Sequence, residues 1–279
     1  MMLRGLSRAG LGNIGSDQQL IEKAAAFGFQ SVDLDAAGLV KALGVDQARE
    51  LLRQHHMEIG SIGLPVDWRG SEMKFRDDLP KLLDQAVALA ALGGSRCCTY
   101  ILPSTDLNAA HFMALATKRL RTCAQILGAY GIRLGLEFVG PHHLRTRWKH
   151  PFIWTMGETL DWIDAIGESN VGLLLDAYHW YTTEMAVRDI EALQASQIVH
   201  VHLNDAKDVA VEQVLDNDRM YPGEGVIDLV GFLQALQKIG YTGPVAQEIL
   251  TPAPLTDAPD VLLRRSKEGY DKVFGAAGL

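Results

Sequence analysis

Short strand-like runs alternate with helical stretches from one end of the chain to the other, and this rhythm restricts the fold more than any other feature. Eight such runs lie near residues 3–6, 31–34, 58–63, 96–102, 133–139, 172–176, 198–203 and 245–250. Helical patterns fill the intervals at 17–27, 46–56, 80–92, 107–130, 157–167, 184–195, 228–239 and 259–273. Ser16 followed by Gln19 reads as a capping box, Pro80 suits a first helical turn, and Gly28, Gly93, Gly131 and Gly240 stand where helices stop. Runs such as Leu173-Leu174-Leu175 are apolar without alternation, as expected of strands buried on both faces of a parallel sheet. Eight strand–helix units in roughly 250 residues match a single-domain (β/α)8 barrel over residues 1–279, with a doubly wound open sheet as the alternative.

Composition narrows the function. A net charge of −8 disfavours a nucleic-acid partner, because phosphate binding needs a basic surface. The segment from Arg145 to His150 is the one basic cluster. Three cysteines, two of them adjacent at Cys97 and Cys98, form neither a disulfide framework nor a CxxC metal pattern, so a reducing cytoplasm is expected. No signal-peptide pattern and no bilayer-spanning run is visible.

In a barrel of this type, chemistry sits at the carboxyl ends of the strands. The fifth run ends in LEFVG with Glu137, and the sixth in LLLDAYH with Asp176 and His179. The seventh reads VHVHLND with His200, His202, Asn204 and Asp205, and the eighth VAQEIL with Glu248. Inward-facing positions alternate, so Glu137, Asp176, His202 and Glu248 can converge at one height on the barrel axis. That set supplies oxygen and nitrogen ligands for one divalent cation, with Mn first and Mg, Co or a catalytic Zn as alternatives. Each residue alone has an ordinary explanation: a strand-end Asp can cap a helix, and a strand-end Glu can pair with Arg or Lys. Four on consecutive strand ends are harder to explain that way.

These motifs, together with DRMYPGEGVID at 218–228, make the chain resemble the xylose isomerase-like superfamily of TIM barrels. The resemblance spans most of the sequence and implies metal ligation by Glu137, Asp176, His202 and Glu248. It also implies substrate contacts at His179 and Arg219. The apurinic-endonuclease branch of that superfamily needs further His ligands. None occurs in EIGSIGLP or CCTYILP, and Met220 follows Arg219 where that branch has His. A DNA-repair role is therefore not expected.

The expected activity is metal-dependent isomerisation or epimerisation of a sugar, keto-sugar or cyclitol through a cis-enediolate, with Glu137 and Glu248 as catalytic acid and base. Dehydration of a keto-inositol or keto-sugar shares the same first step. A barrel that binds without chemistry is a third class. Asp33 and Asp35, at the end of the second run, are candidate contacts to substrate hydroxyls, with a helix-cap role equally open to both; Trp68, with Trp154 or Trp180, is a candidate wall for a sugar face. The loop at 140–151 offers His142, His143, Arg145 and Arg147 for an anionic group. The expected partner is a small sugar or polyol, with no membrane or nucleic acid; a homo-oligomer is left open.

Overall fold

The computed structural model describes residues 2–279. Its elements run β1 (Leu3–Leu6), α1 (Asp17–Ala26), β2 (Ser31–Val32), α2 (Ala36–Leu43), α3 (Val45–Gln54), β3 (Glu58–Ile59), β4 (Ile62–Gly63), α4 (Glu72–Ala91), β5 (Arg96–Ile101), β6 (Ser104–Thr105), α5 (Ala109–Gly128) and β7 (Arg133–Phe138). They continue α6 (His142–Arg145), β8 (His150–Pro151), α7 (Met156–Ile166), β9 (Val171–Asp176), α8 (Ala177–Thr182), α9 (Val187–Glu191), β10 (Ile198–Leu203), α10 (Leu229–Lys238), β11 (Pro244–Gln247) and α11 (Pro259–Ala277). Nine strands pair in the order β3-β2-β1-β11-β10-β9-β7-β5-β4, and the pairings between neighbours are parallel. This is the expected TIM barrel with helices around it.

The ring closes through the third expected strand, which is split. β3 pairs with β2 and β4 with β5, while Gly60 and Ser61 lie between them. Gly60 N–H still donates to Val32 O (2.8 Å), whereas Leu64 N–H already donates to Cys98 O (2.8 Å). One segment therefore changes partner halfway along its length. The seam between β1 and β11 is tied from outside by Tyr270 of α11, whose fully buried hydroxyl bridges Gly5 O (3.0 Å) and Val245 O (2.9 Å).

Several expected boundaries shift for local reasons. The Ser16–Gln19 capping box forms. α4 starts not at Pro80 but at Glu72, because Ser71 Oγ accepts from Lys74 N–H (3.1 Å), and the exposed Pro80 is accommodated inside the helix. α2 escaped the sequence reading and is capped by Asp35 through Gly38 N–H (3.0 Å). The helix expected at 184–195 is reduced to α9, and α8 takes over AYHWYT directly after β9. The loop at 140–151 contains α6 and β8, and β8 pairs antiparallel with β6.

The glycines of GLGNIG (10–15) stand in the GxGxxG spacing of a dinucleotide-binding turn, with Asp33 beyond the next strand. The closed barrel gives this loop a different role. Gly10, at φ +87°, lies so close to the chain after β11 that a Cβ would strike Ile249 Cβ at 2.6 Å. Among the described residues, no helix is long and apolar enough to cross a membrane.

One buried carboxylate shapes the long connection after β10. Asp205 is 1% exposed and accepts from Ala206, Gly223, Gly225 and Ile227 N–H at 2.9–3.0 Å. Its backbone exchanges two hydrogen bonds with Met220. Asp205→Ala should leave these donors without their acceptor and lower stability by about 3 kcal/mol. A urea-unfolding series checks this, with Asp205→Asn recovering only part because its amide points donors at donors.

Candidate metal centre

Four strand ends deliver one cluster. Glu137 lies on β7, Asp176 ends β9, His202 lies on β10, and Glu248 directly follows β11. One ligand-capable atom from each lies within 4.8 Å of all the others. The strands are staggered, so equal height does not mean equal register: His202 pairs with Asp176, but Glu137 pairs with Leu174, two residues earlier. The tilt of barrel strands brings them together all the same. His202 Nδ1 stands 3.4 Å from Glu248 Oε2, 3.5 Å from Glu137 Oε1 and 3.8 Å from Asp176 Oδ2.

Asp176 divides its work between its two oxygens. Oδ1 caps α8 through Tyr178 N–H (2.6 Å), while Oδ2 faces the cluster and accepts from Arg219 Nη1 (2.8 Å). Asn204 Nδ2 donates to both oxygens at 3.0 and 3.2 Å. Arg219 Nη1 also reaches Glu248 Oε2 (2.9 Å), and Nη2 is held by Asp216 Oδ1 (2.9 Å). Arg219 is thus a buried fork among carboxylates. The sequence reading assigned no role to Asp216 or Asn204; the one available signal was the i,i+3 spacing of Asp216 and Arg219. His179, 1% exposed, meets a donor at each ring nitrogen, Gly140 N–H at Nδ1 (3.3 Å) and Arg219 Nη2 at Nε2 (3.4 Å), and Nε2 lies 4.0 Å from Glu137 Oε1.

Four expected contact residues are engaged by other parts of the protein. Trp68 is fully buried, stacked on Phe112 at 5.9 Å, and its Nε1 donates to Thr99 Oγ1 (3.1 Å), so packing claims the face that was assigned to a sugar. Trp180 likewise packs on Phe232 (5.5 Å). Asp33 turns onto two imidazoles, with Oδ2 at 3.1 Å from His200 Nε2 and 3.4 Å from His202 Nε2. Arg145 does not wait for an anion: it bonds to Gly140 O (2.7 Å) and Thr182 O (2.8 Å) and stacks on Trp154 (3.7 Å).

The residues fit a divalent cation. Burial pushes the Glu137 carboxyl well above its ordinary range, and Glu248 and Asp176 push it further. Burial opposes charge on His202, yet Glu248, Asp33 and Glu137 hold it protonated. Glu137 Oε1 and His202 Nδ1 are buried without a hydrogen-bond partner. Arg219 offsets one negative charge out of three. Glu137, Asp176, His202 and Glu248 would hold the ion, and they bind it only after losing their protons. Cation uptake should therefore release protons, and the apparent affinity should rise as pH increases from about 6 to 8, where Glu137 and His202 would otherwise keep theirs. Calorimetric titration of the apoprotein with Mn2+ in buffers of different ionisation enthalpy checks this; a pH-independent affinity without proton release would contradict it.

The cluster opens into a cavity of about 210 Å³ that also touches Ser61 and Cys98, and a 360 Å³ cleft towards Arg8 and Gln85 shares Asp33 and Ser61 with it. Sites for drug-sized ligands run from roughly 300 to 1,000 Å³, so the inner cavity suits a small molecule.

A sequence profile of the xylose isomerase-like TIM barrel family matches residues 21–267. An inosose isomerase of Halalkalibacterium halodurans is 33% identical over 135 residues, which cover 48% of this chain and 45% of that protein, so the match spans about half of that relative's length. A D-psicose 3-epimerase of Enterocloster bolteae is 24% identical over 247 residues, covering 83% of this chain and 76% of that protein. The solved structure of a xylose isomerase domain protein from Alicyclobacillus acidocaldarius superimposes with a TM-score of 0.91 at 33% identity, with 100% of each chain covered. The fold, the matched profile and these relatives agree: the chain belongs to the xylose isomerase-like TIM barrel family.

Proposed function

We propose that the protein is a divalent-metal-dependent isomerase or epimerase of a sugar, keto-sugar or cyclitol. The observation that carries this reading is the pair Glu137 and Glu248 within one cluster with Asp176 and His202, at the floor of a small cavity. The activities of the inosose isomerase and the D-psicose 3-epimerase support it. Mn is the first choice of ion, and Mg, Co or Zn suit the same oxygen and nitrogen donors.

When bound, a divalent cation supplies Lewis acidity that polarises a carbonyl oxygen. Glu137 and Glu248 then divide the proton chemistry. The carboxylate nearer the carbon next to the carbonyl removes its proton, and a carboxyl group returns one. Return to the neighbouring carbon gives an isomer; return to the opposite face of the same carbon gives an epimer. His179 Nε2 lies beside Glu137 and against Arg219 Nη2, so this His179–Arg219 pair stands where negative charge would grow on a substrate oxygen. Arg219 sets the position of the Glu248 oxygen that it binds. The closed barrel floor keeps bulk water from approaching from below.

Turnover of candidate sugars and inososes in deuterated water, with product identification, tests the reading. Deuterium at the carbon next to the carbonyl in an isomer or epimer is expected, and loss of a hydroxyl would reassign the enzyme as a dehydratase. Glu137→Gln and Glu248→Gln should each lower kcat by roughly 10²- to 10⁴-fold while leaving the thermal transition close to wild type. Substantial remaining activity would remove the assigned roles.

A further inference from the structure

We infer that Asp33 is a positioning residue that fixes how His202 faces the cluster, and that Gly60 exists at the split in the barrel wall to make room for it. This rests on the metal-site reading above and adds a part that lies outside the four ligands.

The geometry is specific. His202 has two ring nitrogens with opposite surroundings: Nδ1 points at Glu137, Asp176 and Glu248, and Nε2 points at Asp33 Oδ2, 3.4 Å away. A neutral imidazole carries its proton on one nitrogen only. An acceptor beside Nε2 draws the proton there and leaves the Nδ1 lone pair for the cation. Asp33 is itself held, because its Oδ2 also takes the bond to His200 Nε2 (3.1 Å). His200 is fully buried, and the two imidazoles meet edge to face at 5.2 Å. One carboxylate oxygen therefore ties both histidines of VHVH. On its other side, a Cβ built on Gly60 would lie 2.4 Å from Asp33 Oδ1, and no side chain larger than hydrogen fits while Asp33 keeps this rotamer. Gly60 is not in the left-handed region, so its lack of a side chain serves space rather than backbone freedom.

Asp33, His200 and His202 also bring three donor atoms within 4.8 Å of one another, which raises a second cation as the alternative occupant. A cation there would bind His202 Nε2 while the first bound Nδ1, which requires an imidazolate. A proton shared with Asp33 explains the same distances without removing the imidazole's second proton.

The test uses the full chain, stripped with chelator and titrated with Mn2+ and Zn2+. The native protein should bind one ion per chain. Asp33→Asn and Asp33→Ala should weaken that binding by roughly 10- to 100-fold. Gly60→Ala should do the same with every donor still present, because its methyl group drives the Asp33 carboxylate aside; this variant decides the matter if Asp33→Ala folds poorly. Long-range ¹⁵N spectra of the Zn2+-loaded native protein should show the His202 proton on Nε2 with Nδ1 bound to the ion, and Gly60→Ala should lose or shift that pattern. A merely structural role would not move that signature. Unchanged affinity in both Asp33→Asn and Gly60→Ala, or an Nδ1–H form in the native protein, overturns the inference while leaving the metal site intact. Two ions per chain, one lost with Asp33, would make Asp33 a ligand and overturn it as well. No binding by the native protein would instead overturn the metal-site reading itself.

Discussion

Three carboxylates crowded at one end of a closed barrel are the constraint on which the rest of the structure depends. Two like charges about 4 Å apart repel by roughly 4 kcal/mol at the effective dielectric of a partly buried site. A domain whose whole stability is about 5–15 kcal/mol cannot leave several such pairs uncompensated. The molecule answers with Arg219 between Asp176 and Glu248, with His202 facing all three carboxylates, and with a proton held on Glu137. Glu137 Oε1 is buried without a hydrogen-bond partner.

Arg219 meets this need only because its loop is held. The loop bends back over the barrel mouth through glycines whose N–H groups converge on Asp205. At Gly225 a Cβ would lie 2.1 Å from Ala206 O, so the chain there approaches as closely as backbone can. Asp205 and Asp176 are both buried aspartates at or just past strand ends, yet they do opposite work. Asp205 spends all its acceptor capacity on backbone N–H groups and stays out of the cluster. Asp176 spends one oxygen on the α8 cap and turns the other inward. Burial alone does not separate structural carboxylates from functional ones; the identity of the donors does.

That distinction explains what the sequence could disclose. LEFVG, LLLDAYH, VHVHLND and QEIL announce themselves because an acid or imidazole interrupts an apolar run, and the structure gathers Glu137, Asp176, His202 and Glu248. Eight strand regions were legible for the same reason, since parallel strands buried on both faces are continuous apolar runs, although the third of them is two strands, β3 and β4. What was not legible depends on side-chain direction and on pairing between distant segments. Strand position gives the height of Asp33, which lines the cavity, but not the histidines it also meets, which lie 167 and 169 residues further on. Trp68 looked like a sugar platform because nothing local reveals Phe112 above it. The split at Gly60 was hidden inside one β-rich run, as both halves have strand character and only the neighbours change. Short helices such as α2 and α8 were missed because caps, rather than a long periodicity, define them.

The barrel keeps the demands of folding and of chemistry apart along its axis. Below the cluster the interior is lined by small groups: a Cβ on Gly5 would meet Ser31 Oγ at 2.5 Å and Ala246 Cβ at 3.3 Å, and one on Gly135 would meet Cys98 Sγ at 2.9 Å. Strands can approach closely there, and large apolar side chains such as Leu134, Leu136, Leu173 and Leu175 fill the layer against the helices. Most of the hydrophobic stabilisation therefore arises outside the ring, where it is indifferent to what occupies the mouth. The clustered carboxylates and His202 sit at the opposite end, on strand termini and beside loops tied by Asp205 and Arg145. An ion that binds only the folded arrangement would add its binding free energy to the stability of the whole barrel. The strain of gathering like charges at the mouth and the affinity for a cation are then two descriptions of one arrangement.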